Sequence, residues 1–314
     1  MKLLVTGGSG YIGTGVLRRV PREWNIAATY LAHPIERVDV AAFCVDVRDA
    51  DAVTRLFDTF RPDVIIHTAA MMTGDAMLVT NAEGSRNVAR AAARCHAYLI
   101  HLSTDVIFDG EHAPYDEDAA PAPITPYGES KARAEQVIRA EHPSALIVRT
   151  SLVYGFDPLD PRTRQTLAGE MPRLFTDEYR CPIFVDDLAD ALLELAVSLR
   201  AAQRRSNLHS TLGIASSHRS SPLRSAHDAP RNDKTGNARS ILNIAGAQRV
   251  SRYEFGLKLA RAFRIEPKFA PALSASSPTP RPRDCTLDIS RAQNILRTRL
   301  RGVDEVLASQ TINQ

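Results

Sequence analysis

The sequence predicts an α/β fold, a doubly wound parallel sheet of the Rossmann-like type with a smaller C-terminal substrate lobe. Three observations predict it. Apolar, β-branched runs alternate with amphipathic helical stretches over residues 1–155, a glycine-rich turn directly follows the first run, and the alternation stops after residue 155. Strands that alternate with helices in this way are joined by right-handed crossovers and pair in parallel.

Six short runs in the first 150 residues have the composition of buried strands. They are Lys2–Thr6, Ile26–Leu31, Ala42–Val45, Val64–Thr68, Tyr98–Ser103 and Leu146–Thr150. Four stretches between them have the apolar period of helices, namely Tyr11–Val20, Ala50–Phe60, Leu78–Arg94 and Pro126–Glu141. We therefore assign residues 1–155 to one Rossmann domain.

Residues 156–198 and 241–314 are predicted to form the smaller lobe. Their candidate elements are an apolar run at Ile183–Val185, a helix over Asp187–Val197, a strand at Ile241–Ile244, a loop over Pro267–Pro282 and a last helix near Val303–Ala308. A further helix should begin at Ser251, because Ser251 and Glu254 have the spacing of a capping box.

Residues 199–240 do not fit this pattern. They contain eight serines and eight Lys or Arg against two Asp, with few clustered apolar residues. Such a segment buries too little apolar surface to offset the entropy lost on ordering. We interpret it as a disordered insertion. The alternative is a basic arm that binds an anionic partner.

The remaining composition excludes several classes of protein. The chain has a net charge of +3, and residues 199–240 alone contribute more than that, so the rest is mildly acidic and gives no case for nucleic-acid binding. No apolar run is long enough to span a bilayer. The first apolar stretch breaks at Gly7, too early for a signal peptide. The four cysteines are far apart in the sequence, which predicts free thiols and a cytoplasmic protein.

The glycine-rich turn Thr6–Gly13 is the strongest local motif. It lies between the first strand and the first helix, the context required for a dinucleotide-binding turn. Glycines allow the backbone to approach a pyrophosphate, and the helix N-terminus then offers free amides to that anion. The expected contacts come from Gly7, Gly10, Tyr11, Ile12 and Gly13. The alternative is a glycine-rich turn without a ligand.

The end of the second strand suggests which dinucleotide binds. NAD enzymes usually have an acid there, about 20 residues after the glycines, that holds the ribose 2′-hydroxyl. Here no acid occurs before Glu36, and Arg37 or His33 could neutralise a 2′-phosphate, so NADP(H) is favoured. Asp46 and Val47, after the third strand, are placed to meet the adenine. The alternative for Asp46 is a helix-capping role.

Tyr127 and Lys131 are four residues apart and share one face of the predicted helix. An ammonium group beside a phenol lowers its pKa, which would let Tyr127 exchange a proton with a substrate oxygen. Thr104 follows the fifth strand, where its hydroxyl could polarise the same carbonyl. Two solvated side chains are the alternative for the Tyr–Lys pair, but the combination with Thr104 and the glycine turn is far more specific.

These motifs together resemble the extended short-chain dehydrogenase/reductase superfamily and, within it, the dTDP-4-dehydrorhamnose reductases. The stretches that carry the resemblance are Thr6–Gly13, Arg61–Ala70, Ser103–Gly110, Pro126–Lys131, Arg149–Gly155 and Arg281–Asp288. They cover nearly the whole chain apart from residues 199–240.

The resemblance implies a reaction and a set of roles. Hydride would pass from NADPH to the C4 ketone of a nucleotide-linked 6-deoxyhexulose, with Thr104, Tyr127 and Lys131 as the catalytic residues. Tyr127 would protonate the alkoxide, while Lys131 would also hold the nicotinamide ribose. Ala69 and Ala70 would flank the cofactor, and a homodimer would be compatible with the family.

Some features depart from that family or leave its function open. The loop Phe156–Glu170, expected to cover the substrate, is short. Relatives that bind magnesium use a glutamate where this chain has Gly15, so we predict no metal. Asn81 matches a family Asn but is equally well explained as a polar helix residue. Two other functions remain as alternatives: a non-catalytic NADP-binding subunit that regulates methionine adenosyltransferase, and a sugar-nucleotide epimerase or dehydratase.

Overall fold

The computed structural model describes residues 1–211 and 240–309. Within these ranges the strands are β1 (Lys2–Thr6), β2 (Asn25–Tyr30), β3 (Ala41–Cys44), β4 (Val64–His67), β5 (Tyr98–Thr104), β6 (Leu146–Thr150), β7 (Val153–Tyr154), β8 (Arg173–Phe175), β9 (Tyr179–Arg180), β10 (Ile183–Phe184), β11 (Ile241–Ile244), β12 (Val250–Ser251) and β13 (Ala270–Ala272). The α-helices are α1 (Tyr11–Arg19), α2 (Ala50–Phe60), α3 (Ser85–Arg94), α4 (Pro126–Glu141), α5 (Pro161–Ala168), α6 (Val185–Thr211), α7 (Arg252–Ala262), α8 (Ser290–Ile295) and α9 (Val303–Ser309).

A seven-stranded sheet forms the centre of the molecule, with strand order β11-β6-β5-β4-β1-β2-β3. Every adjacent pair in it is parallel. The chain order reverses between β1 and β4, which creates the crevice where doubly wound sheets bind their ligands. The predicted Rossmann-like α/β fold is confirmed, and the six strands predicted from the first 150 residues differ from the observed ones by at most one residue at either end.

Both faces of this sheet are covered, which explains why its strands are continuous apolar runs. Leu3 and Val5 of β1 belong to one core cluster, whereas Leu4 between them belongs to the other. The second cluster also contains Phe57 of α2 and Val88 of α3. The rigid sheet thereby fixes the carboxyl ends of β1, β4 and β5, which carry the candidate site.

The strand Ile241–Ile244 was predicted in the smaller lobe, and this placement is wrong. As β11 it pairs with β6 at the edge of the main sheet, with Ile241 opposite Ile147. The helix α6 also packs on this sheet, since Leu188 and Leu192 share the core cluster of Val5. A short buried run has the same apolar pattern in either location, so only the pairing could decide between them.

The predicted end of a helix at Val197 is also wrong. The helix α6 continues to Thr211, so residues 199–211 do not belong to a disordered insertion. Arg200 in this extension forms an ion pair with Asp63 at 3.0 Å. The prediction used the average composition of residues 199–240. That average gave too little weight to the strong helix formers at the beginning of the segment, such as Ala201 and Gln203. The remaining residues of that prediction, 212–239, lie outside the described ranges.

A third core cluster consists of aromatic and aliphatic side chains, which include Tyr154, Phe184, Phe255 and Val303. The capping box at Ser251 and Glu254 is confirmed, with both reciprocal hydrogen bonds present. Two predicted loops contain regular structure: α5 lies within 156–170, and β13 lies within 267–282 and pairs with β8. Among residues 1–211 and 240–309, no helix is both long and apolar enough to cross a bilayer.

Candidate active site

The glycine turn is a tight cradle at the sheet's reversal point. Gly7 has a φ of +74°, and a Cβ there would lie 2.7 Å from the Ala69 Cα, so only glycine lets the two loops touch. A Cβ on Gly13 would clash with the Gly7 carbonyl. Gly10 precedes α1, whose first-turn amides receive no side-chain cap. The amides of Tyr11, Ile12 and Gly13 therefore open a helix end suited to an anion.

Two residues that sequence analysis missed hold this cradle in place. Thr29, at the end of β2, accepts a hydrogen bond from the Gly7 amide at 3.0 Å, and its carbonyl accepts one from Gly8 at 2.7 Å. His67 ends β4 and lies 2.6 Å from the Thr6 hydroxyl through Nδ1. Both residues are buried. They lie at the ends of predicted strands, which is the signal that could have identified them.

Thr104 ends β5, at the same carboxyl edge of the sheet as the cradle but separated from β1 by β4. Its hydroxyl donates to the Asp105 carboxylate at 3.3 Å and accepts weakly from the Val106 amide at 3.4 Å. The helix α4 packs directly on the turn after Thr104, so closely that a Cβ on Gly128 would clash with the Val106 carbonyl. The structure therefore brings the first turn of α4, which carries Tyr127, to the carboxyl end of β5.

Asp105 anchors a charged network beneath Thr104 that sequence analysis also missed. The carboxylate is buried, accepts a 2.6 Å hydrogen bond from Ser151 and lies 3.7 Å from the Arg180 guanidinium. Burial raises the pKa of Asp105, and the charge of Arg180 opposes the shift. Arg180 in turn lies 3.4 Å from Glu178. Only the position of Asp105 next to Thr104 hinted at this network.

Lys131 is buried on α4 and points into the sheet. Its Nζ donates to the Leu102 carbonyl at 2.7 Å and lies 3.2 Å from His101 Nε2. Burial lowers the pKa of Lys131 to about 8, against the opposing charge of Glu135. The ammonium group is therefore held on the strand that carries Thr104.

The pKa of the half-buried Tyr127 differs from the value expected from the sequence. Burial, and then the charge of Asp105, raise the pKa of Tyr127 to about 12. The predicted lowering by Lys131 is thus wrong, because burial and the charge of Asp105 decide the shift and Lys131 is not among the groups that act on this phenol. At neutral pH Tyr127 keeps its proton, so it is poised as an acid.

Asn81 connects the loop after β4 to the helix α4. Its side chain makes two 2.8 Å hydrogen bonds with the Met71 backbone and donates to Ser130 at 2.9 Å. Ser130 itself donates to the Tyr127 carbonyl at 2.7 Å. This fully buried amide positions the first turn of α4.

A family model described as the RmlD substrate binding domain matches residues 1–228 of this chain. The chain belongs to this family. The dTDP-4-dehydrorhamnose reductase of Mycobacterium tuberculosis is 32% identical over 211 residues, which are 62% of this chain and 66% of that protein. Methionine adenosyltransferase 2 subunit beta from Xenopus laevis is 24% identical over 311 residues, 94% of this chain and 82% of that protein. The RmlD family relatives thus include both an oxidoreductase and a subunit of another enzyme.

Solved structures agree with the RmlD family fold. A hypothetical dTDP-4-dehydrorhamnose reductase from Sulfolobus tokodaii has a TM-score of 0.74 and 29% identity, covering 98% of this chain and 99% of that one. The dTDP-4-dehydrorhamnose reductase of Bacillus anthracis in complex with NADP has a TM-score of 0.71 and 22% identity, covering 98% and 97%.

Two residues predicted to bind the cofactor, Arg37 and Val47, have other contacts in the structure. Arg37 is engaged by Asp39 and the Leu17 carbonyl, so a 2′-phosphate would have to compete with both. The Val47 side chain is buried in the core beside Gly84.

The helix-capping alternative for Asp46 is wrong, because its carboxylate pairs with the Arg48 side chain and accepts a hydrogen bond from the Arg48 amide. The cap of α2 is Asp49 instead. Ala69 approaches the cradle at Gly7, and Ala70 follows it after β4; that these two residues flank the cofactor stays a prediction. Within the described ranges, no group of three or more His, Cys, Asp or Glu side chains could hold a metal ion.

Proposed function

We propose that this chain is an NADPH-dependent reductase of the C4 ketone of a nucleotide-linked 6-deoxyhexulose, similar to dTDP-4-dehydrorhamnose reductase. The observation that carries the proposal is that α4, the helix of Tyr127 and Lys131, packs against the end of β5 at Thr104, at the same carboxyl edge of the sheet as the glycine cradle. A binding protein needs the cradle, but it has no need for a strand-end hydroxyl, an acid and a buried ammonium in one place.

The cradle fits a dinucleotide. The missing Cβ atoms of Gly7 and Gly13 and the uncapped first turn of α1 leave room and amide donors for a pyrophosphate. No acid lies at the end of β2, where Thr29 and Tyr30 stand, which favours NADPH over NADH. When bound, NADPH would supply the hydride.

The residues of the chain would handle the other half of the reaction. The Thr104 hydroxyl would polarise the ketone oxygen, and Tyr127 would give that oxygen its proton as the alkoxide forms. Because the pKa of Tyr127 is raised to about 12, the phenol is already protonated for reduction. The reverse oxidation needs the phenolate and should require a more alkaline solution.

The charges of three arginines, Arg180, Arg252 and Arg281, act on the one carboxylate of Glu178, and this basic cluster supports an anionic substrate. Arg252 is only 6% exposed, and within the described ranges its guanidinium has no hydrogen bond or ion pair. Burial lowers the pKa of Arg252 to about 10, and the charges of Arg162, Arg180 and Arg281 add to the shift while Glu178 opposes it. The charge of Arg162 also acts on Tyr127. A diphosphate would offset this cost, since an unpaired buried cation is unfavourable.

The test is a direct incubation. The purified chain would be mixed with NADPH and a dTDP-linked 4-keto-6-deoxyhexose, and the sugar product would be identified by NMR. We expect loss of the ketone carbon signal, with one NADPH oxidised per sugar. An unchanged keto sugar in the presence of bound NADPH would refute the proposal.

A second candidate is a non-catalytic regulatory subunit. It is favoured by the alignment with the Xenopus subunit, which covers 94% of this chain against 62% for the mycobacterial reductase. The discriminating experiment is copurification with a methionine adenosyltransferase catalytic subunit, run beside the reductase assay. A stable complex without ketone reduction would establish the second candidate, and reduction without a complex would exclude it.

A further inference from the structure

His101 is a fully buried histidine whose role the proposed reaction leaves unexplained. It lies on β5, directly opposite His67 on β4, and the two rings are 5.1 Å apart. His67 has a partner on each nitrogen, the hydroxyls of Thr6 and Ser85. His101 differs, because Nε2 faces Lys131 at 3.2 Å while Nδ1 has no hydrogen-bond partner within the described ranges.

The number of protons on each group determines which of Lys131 and His101 donates the hydrogen bond. An ammonium group has three donors and no acceptor, so His101 Nε2 must accept from Lys131 when the lysine is charged. The imidazole is then neutral and carries its own proton on Nδ1, the nitrogen without a partner. Burial, Lys131 and His67 all lower the pKa of His101 well below its usual value, which is consistent with a neutral ring.

We propose that His101 is a positioning residue for Lys131, accepting one ammonium proton through a neutral, Nδ1-protonated imidazole. The Leu102 carbonyl takes a second proton, so one N–H remains for a ligand in the crevice. A buried donor left unsatisfied on Nδ1 is unfavourable, and it persists because the ring's other nitrogen is needed by the lysine. The catalytic consequence rests on the proposed function, whereas the hydrogen bond does not.

The tautomer can be measured without substrate. In protein labelled with ¹⁵N-histidine, a long-range ¹H–¹⁵N spectrum distinguishes the two tautomers, and a His101→Gln variant assigns the signal. We expect Nδ1–H at neutral pH. A proton on Nε2, or a His101 ring that becomes charged near its ordinary pKa, would overturn the proposal.

The effect on Lys131 provides a second readout. Two histidines, His101 and His67, face the ammonium from the sheet, and Glu135 acts from its own helix. The chain has only five lysines, so ¹³C-lysine labelling with a Lys131→Met reference isolates its titration.

His101→Phe should lower the pKa of Lys131, reducing its protonation constant by about tenfold, because an acceptor for the charged form is lost. His101→Gln retains an acceptor and should restore most of it. The matched control is His142→Gln, which removes another buried histidine, one bonded to the Ala97 carbonyl. A Lys131 titration that is the same in His101→Phe and wild type would contradict positioning by His101.

Activity then separates the two proposals. If the reductase assay succeeds, the alkaline limb of the pH profile of kcat should shift in His101→Phe by as much as the Lys131 pKa does. In His101→Gln this limb should return to its wild-type position. If the pH profile of kcat does not change while the pKa of Lys131 does, the catalytic consequence is refuted. If no reduction occurs but the tautomer and the Lys131 titration are as expected, the positioning by His101 stands and the proposed function fails.

Discussion

Lys131 should make the stability of this fold depend on pH in the alkaline range. Its pKa is lowered from 10.5 in the unfolded reference to about 8 in the folded chain, because the ammonium is buried. Below the folded pKa both states are charged, and the folded state bears the full cost of the buried charge. As pH rises from about 8 to about 10.5, the folded lysine becomes neutral first, so the free energy of unfolding rises.

The size of the effect follows from the shift. Each pKa unit corresponds to 1.36 kcal/mol, so the charge costs about 3 kcal/mol at neutral pH, and most of this cost should be recovered between pH 7 and pH 10. Urea unfolding of wild type and Lys131→Met at both pH values isolates this contribution, because other titrating groups cancel between the two proteins. The variant's stability relative to wild type should fall by that amount. A difference that does not change with pH would refute the buried-ammonium assignment.

Three further predictions concern the glycine turn, a buried ion pair and the choice of cofactor. Gly13→Ala should weaken NADPH binding at least tenfold and cost about 1–3 kcal/mol, measured by fluorescence titration and unfolding, because its Cβ clashes with the glycine loop. Gly10→Ala, whose Cβ would lie 3.2 Å from the nearest atom, should have a smaller effect. Glu135→Ala should cost about 3–5 kcal/mol in denaturant unfolding, since it leaves the buried Arg149 without its carboxylate; a loss below about 1 kcal/mol would contradict this. NADPH should bind more tightly than NADH, and Arg37→Ala should narrow that gap by less than about threefold, because the guanidinium is already paired; a titration with NADH preferred would overturn the assignment.

Local sequence patterns were sufficient for six of the seven strands of the main sheet and for the helix α4. The strand Lys2–Thr6 and the helix Pro126–Glu141 have exactly the predicted bounds, because each has a clear apolar period and a clear boundary signal. Thr125 caps that helix and Pro126 begins it. The strand Ile241–Ile244 was found in sequence but misplaced, since which sheet edge it joins depends on partners distant in the chain.

The charged groups of the site were harder to predict for the same reason. The motif residues Thr104, Tyr127 and Lys131 could be named from their spacing. The direction of the Tyr127 pKa could not, because it depends on burial and on Asp105 rather than on the lysine four residues away. In the sequence, His101 is only one residue of a mostly apolar strand. The packing of α4 on β5 brings it to Lys131.

The most direct test of the proposed reductase compares wild type with Tyr127→Phe, measuring both kcat for the keto sugar nucleotide and the Kd for NADPH. Tyr253→Phe, a half-buried tyrosine packed against Phe269, is the matched control. If Tyr127 donates the proton, its loss should reduce kcat about 100-fold or more while the Kd changes little. Near-normal turnover in Tyr127→Phe, with Tyr253→Phe equally active, would contradict the assignment of Tyr127 as the acid.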